Sequence, residues 1–171
     1  MVVRMKVLQR RWEPVSIGLQ EHLAEVLQSW EGTRYLAGGQ GKQLGVDCVR
    51  FVCAVMDEIL GRVTPIKALP QDVAFHQADK GRSAVREILR LYEPFEAVAP
   101  HKPLNPLDIL VVGGGPEAGP GHAIIVGPRE NTLWQSDCQT GVAWGGWALM
   151  QDYQVLHRVY RITNLEERWQ Q

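Results

Sequence analysis

Apolar residues recur at helical spacing twice in the early part of the chain. Leu19, Leu23, Val26, Leu27 and Trp30 line one face of a helix over Ile17–Trp30, with Ser16 placed to cap it. Phe51, Val52, Val55, Met56, Ile59 and Leu60 line another over Val49–Leu60, and Gly61 follows as a stop. Asp47 stands at the N-cap of this second helix, so Cys48 falls at its first helical position. A third helix is predicted over Ser83–Tyr92, capped by Ser83, with Val85, Ile88 and Leu89 inward. From about residue 95 short β-type runs take over: Phe95–Val98, Asp108–Val112, His122–Val126, Thr132–Ser136 and Gln154–Ile162. Helices first and strands after predict an α+β fold, with N-terminal helices packed on a C-terminal antiparallel sheet.

Two glycine-rich stretches punctuate this pattern. Ala37 to Val46 leads directly into Asp47-Cys48, and Gly113 to Gly121 joins the second and third runs. No helical pattern follows the latter, so it reads as a solvent loop between antiparallel strands and not as a phosphate cradle. The chain has 171 residues, which predicts one domain over 1–171, with a core over about 17–162 and a polar tail from Asn164. A net charge of -1 with mixed signs predicts no nucleic-acid partner and no attraction to an anionic membrane. Charges break up the N-terminal apolar run, and no segment approaches a membrane-spanning length. The expectation is a chain without a signal peptide, made in the cytoplasm and not inserted in a membrane. The six tryptophans suit a filled core or an exposed aromatic contact surface.

The three cysteines are Cys48, Cys53 and Cys138. An odd number argues against a disulfide framework, and neither Cys-x-x-Cys nor His-x-x-x-His occurs, so no metal and no cofactor is expected. Cys53 reads as packing on another face of its helix. Cys48 differs because the free N–H groups and the dipole of a helix N-terminus favour thiolate over thiol. A nucleophilic thiol needs a base, and histidine suits the role. Of the five histidines, His22 falls on a polar helix face, His76 and His101 in weakly patterned stretches, and His157 in a late strand. His122 opens the strand Ala123-Ile124-Ile125-Val126, where it can face a cleft while the strand anchors it. A hairpin around Pro128–Asn131 sets Leu133-Trp134-Gln135-Ser136 alongside. Gln135 can then bond the far nitrogen of His122 and select its tautomer, with Asp137 as the competing orienter.

These residues resemble a known family, the NlpC-type cell-wall peptidases, a papain-like group. The resemblance is carried by Gly32-Thr33-Arg34-Tyr35-Leu36-Ala37-Gly38-Gly39, then Asp47-Cys48 at a helix start, then Pro106-Leu107-Asp108-Ile109-Leu110, then His122 to Gly127, then Gln135. It runs from about Leu19 to Ser136. It implies a papain-like α+β domain that hydrolyses amide bonds in peptidoglycan stem peptides. Cys48 would be the nucleophile, His122 the general base and then acid, and Gln135 its orienter. The Cys48 N–H would help bind the oxyanion. Tyr35 would line the cleft or pack on the helix, and Asp47 would bind a free amine of the peptide or serve only as a cap. Relatives usually continue Asp-Cys-Ser-Gly where this chain has Asp47-Cys48-Val49-Arg50, which leaves peptide specificity open. Arg50 reads as a solvated helix-face residue or as a site for a substrate carboxylate. A stand-alone domain without a signal resembles versions found with phage tails, so phage tail or baseplate proteins are the expected partners and the virion the expected location. Two other readings stay open: a non-catalytic tail assembly or docking module, and an acyltransferase or transglutaminase-like enzyme. Cys138 could pair with Cys48 or join His122 at a metal.

Overall fold

The computed structural model describes residues 10–61, 95–113, 121–153 and 155–171. The helix expected over Ser83–Tyr92, most of the second glycine-rich stretch and His76 lie outside them.

Helix α1 spans Ile17–Trp30 and buries the five apolar residues of its predicted face. Ser16 does not cap it. Its hydroxyl and its N–H both go to the Glu166 carboxylate, on the short helix α3 (Leu165–Trp169). A charged acceptor from the far end of the chain outcompetes the local backbone for that hydroxyl. Helix α2 spans Cys48–Leu60 and ends at Gly61, which adopts the left-handed conformation with φ 62°. Helical residues other than glycine reach that conformation at a cost, so the glycine sets the stop. The helix is buried nearly all round, Val49, Arg50 and Cys53 included, and so forms a central core element.

Among the described residues six strands form one antiparallel sheet in the order β3-β8-β4-β5-β6-β7. They are β3 (Phe95–Ala97), β4 (Ile109–Gly113), β5 (His122–Val126), β6 (Leu133–Asp137), β7 (Gly141–Gly145) and β8 (Val155–Ile162). The expected hairpin joins β5 to β6, with Gly127 N–H donating to Thr132 O at 2.8 Å and Asn131 at φ 58°. Strand β7 is an addition to the sequence expectation. It begins and ends in glycine, which hides its strand character. A second sheet within the first glycine-rich stretch pairs β1 (Gln40–Gly41) with β2 (Gly45–Val46).

The central strands β4, β5 and β6 are buried on both faces, which explains their uninterrupted apolar runs. Ile109, Val111, Ala123, Ile125 and Trp134 join α1 and α2 in one core. Leu110, Val112, Ile124, Val126 and Leu133 point the other way, into a second core closed by Met150 of the 3₁₀ helix Trp147–Asp152. Arg161 on β8 grips Asp108 with Nε and Nη2, each at 2.8 Å, which fastens the start of β4 to its neighbour. Among the described residues no helix is long and apolar enough to cross a membrane.

Candidate active site

The N-terminus of α2 is fixed by one carboxylate. Asp47 Oδ1 accepts the Arg50 N–H at 2.8 Å, the capping bond that the sequence predicts. Its Oδ2 accepts Arg50 Nη1 at 2.6 Å and the Gly38 N–H at 2.9 Å. Arg50 is fully buried, which corrects the reading of a solvated residue. A guanidinium is buried only against a counter-charge, and Asp47, itself buried, supplies it. Both Asp47 oxygens are engaged within the protein, Oδ1 by one donor and Oδ2 by two.

The glycine-rich hairpin folds over this corner. Gly45 has φ 119°, and a β-carbon there would overlap Leu36 and crowd the Arg34 carbonyl. Its absence lets Tyr35 bridge to Val46, one residue before Asp47. Ser136 on β6 donates to Val46 O at 2.7 Å and ties the same segment to the sheet. Gly141 at φ 69° does similar work at β7, where a side chain would strike the Thr33 carbonyl. That carbonyl accepts the Val142 N–H at 2.7 Å. Tyr35 is thereby held beside Cys48. Burial, then the neighbouring Cys48 and Asp47, push its phenol up to about 12, so it remains a hydrogen-bond donor.

Cys48 is the first residue of α2, and the N–H of Ala123 on β5 acts on its sulfur in the direction that favours the thiolate. The register between β5 and β6 runs over Ile125↔Trp134 and Val126↔Leu133, so His122 and Ala123 lie beyond the paired residues. The expected thiolate is not the resting form. Burial first, and then the Asp47 carboxylate, push the Cys48 thiol up to about 12, although the N–H groups of Ala123, Val49 and Cys48 pull the other way. The helix N-terminus acts in the expected direction but is outweighed by desolvation. The residue keeps some surface while the protein packs densely around its sulfur.

His122, half-buried, precedes Ala123 at the first position of β5. Its Nε2 lies 2.8 Å from Gln135 Oε1, so Gln135 and not Asp137 is the bonded orienter. Asp137 acts on the ring only through its charge. Tyr153 stacks on the imidazole with centroids 5.3 Å apart and planes 11° apart, and its hydroxyl donates to Gln135 Oε1 at 3.1 Å. Burial holds the His122 pKa below the ordinary 6.5, against the pull of Gln135 and Asp137. The structure thus gathers Tyr35, Asp47, Cys48, His122 and Gln135 where two strands part, and adds Tyr153. Nothing in the spacing of the sequence singles out Tyr153, because it is placed by the turn after the 3₁₀ helix. Cys53 is buried in the first core, Cys138 is exposed, and none of the three cysteines is in a disulfide. His22 lies beside Trp169 and His101 is exposed.

No family model matches the sequence, and no curated protein matches it. Solved structures do match the fold. A Staphylococcus aureus subsp. aureus protein of the NLP/P60 family (SAV0400), described as similar to a lipoprotein, aligns over 88% of this chain and 43% of its own, with TM-score 0.52 and 17% identity. The NlpC/p60 domain of the peptidoglycan hydrolase SagA aligns over 83% of this chain and 97% of its own, with TM-score 0.48 and 17% identity. The chain has the NlpC/p60 fold. Within that fold the arrangement suits thiol chemistry: a sulfur at a helix N-terminus, an imidazole on the adjoining strand, and an amide oxygen behind the ring.

Proposed function

We propose that this chain is a cysteine endopeptidase that hydrolyses amide bonds in the stem peptides of bacterial peptidoglycan. The observation that carries the reading is Cys48 at the first position of α2, where the Ala123 N–H of β5 acts on its sulfur, one residue from a His122 whose Nε2 lies 2.8 Å from Gln135 Oε1. The substrate class follows from the sequence resemblance to NlpC-type peptidases, with which the NlpC/p60 fold agrees.

The resting pair is a neutral thiol and a neutral imidazole. With substrate in place, the Cys48 proton passes to His122 Nδ1 while the sulfur attacks the carbonyl carbon. The electron pair of the carbonyl moves to its oxygen, where the Cys48 N–H at the start of α2 stabilises it. Tyr35, kept protonated, is a second donor at the same corner. Collapse of the intermediate breaks the C–N bond as the imidazolium protonates the leaving amine. Water, deprotonated by His122, then cleaves the thioester and returns the thiol. Asp47 acts inside the protein by capping α2 and pairing with Arg50.

The setting belongs to the same proposal. The enzyme would act on the wall from a phage tail or baseplate, in contact with its proteins. Digestion of dye-labelled sacculi by the wild type and by Cys48→Ala, with mass spectrometry of the products, tests the activity. Free stem-peptide fragments released only by the wild type support hydrolysis. Equal release by both proteins overturns it, and adducts with an added amine would assign group transfer instead.

A further inference from the structure

Tyr153 follows the 3₁₀ helix, eighteen residues beyond Gln135, and touches both members of the His122–Gln135 pair. Its ring lies nearly parallel to the imidazole, and its hydroxyl reaches the same amide oxygen as His122 Nε2. A carbonyl oxygen has two lone pairs and accepts both donors. The tyrosine is itself anchored: its N–H donates to Met150 O at 3.3 Å, and Met150 is fully buried in the second core. We infer that Tyr153 is a positioning residue. Its hydroxyl keeps the Gln135 amide with oxygen toward the ring, so that His122 carries its proton on Nε2 and offers a bare Nδ1 to the thiol, while its ring restrains imidazole rotation. The inference rests on the reading of His122 as general base. A reversed amide would present N–H to Nε2 and force the opposite tautomer, leaving no lone pair on Nδ1 to receive the thiol proton.

The full chain carrying isotope-labelled histidine provides the test. Long-range proton–nitrogen NMR at a pH where the imidazole is neutral reads the tautomer directly, with the His122 signals assigned from their loss in His122→Ala. The wild type is expected to show Nε2–H alone. Tyr153→Phe keeps the stacked ring and is expected to show a mixture of tautomers. Its kcat on stem peptides should fall roughly 3- to 10-fold at unchanged KM, the effect of one neutral hydrogen bond. An Nδ1–H tautomer in the wild type, or an unaltered tautomer and kcat in Tyr153→Phe, overturns the inference. The NMR readout needs no turnover, so it stands apart from the enzymatic reading, which fails if Cys48→Ala digests sacculi as well as the wild type.

Discussion

The two halves of the candidate site are built in opposite ways. The sulfur half is local: Gly38, Asp47, Cys48 and Arg50 lie within thirteen residues, and Gly38 and Arg50 make three bonds to the Asp47 carboxylate. The imidazole half is dispersed: His122, Gln135 and Tyr153 come from β5, from β6 and from the turn before β8, and converge on one amide oxygen. The local half contains a buried ion pair, so its integrity is a matter of stability. The dispersed half is held by neutral hydrogen bonds and a ring stack, so it can be altered with less risk to the fold. Folding carries the nucleophile, and sheet register aims the base.

Substitutions should separate the halves. Cys48→Ala removes the nucleophile and is expected to lower peptidoglycan hydrolysis by at least about 10⁴-fold, while alanine at the first helical position keeps the fold. Digestion assays with circular dichroism check both statements. Asp47→Ala leaves the Arg50 charge buried without its counter-ion and removes the cap, at a cost of roughly 3–5 kcal/mol in denaturant unfolding. An unchanged unfolding midpoint would mean that the local half is not held by this pair. Gln135→Ala, by contrast, orphans two neutral donors and should cost less stability, roughly 1–3 kcal/mol, while lowering kcat by about 10- to 100-fold, part of what acid–base catalysis contributes. A large loss of stability there would erase the distinction between the halves.

The smallest effect expected is a displacement in pH. The base must be neutral, so kcat/KM falls as His122 is protonated, and burial places that limb below the ordinary imidazole value of 6.5. The Gln135 bond favours the imidazolium, so Gln135→Leu should move the limb further toward acid. The same lowered pKa has a stability counterpart. Below pH 6.5 the unfolded chain binds a proton that the folded His122 resists, so stability is complete above that value and declines as pH falls through the folded pKa. A kcat/KM profile whose acid limb lies above 6.5 would contradict the burial of the base.

Legibility in the sequence follows the same division. Helix α2, its Asp47 cap and its Gly61 stop were readable because each depends on residues a few positions apart. Strands β5 and β6 were readable through their apolar runs and the turn between them, and with them the His122–Gln135 bond. What escaped depends on distant partners or on burial. Ser16 turns to Glu166, 150 residues away, and leaves α1 without its side-chain cap. Arg50 lies inside because Asp47 does, and helical periodicity carries no record of ion pairing. The acidity of Cys48 was read from the helix end alone, whereas the surrounding core decides it. Strand β7 hides behind its glycines, and Tyr153 behind a 3₁₀ turn.

The central claim is that Cys48 attacks the substrate carbonyl with His122 as its base. Peptide mapping after treatment with a stem peptide bearing a chloromethyl ketone at the scissile position tests it most directly. The account predicts alkylation at Cys48 in the wild type, slowed about 100-fold or more in His122→Ala, with the buried Cys53 and the exposed Cys138 unmodified on the same timescale. Label on Cys138 alone, or labelling of Cys48 at an equal rate in His122→Ala, would contradict it.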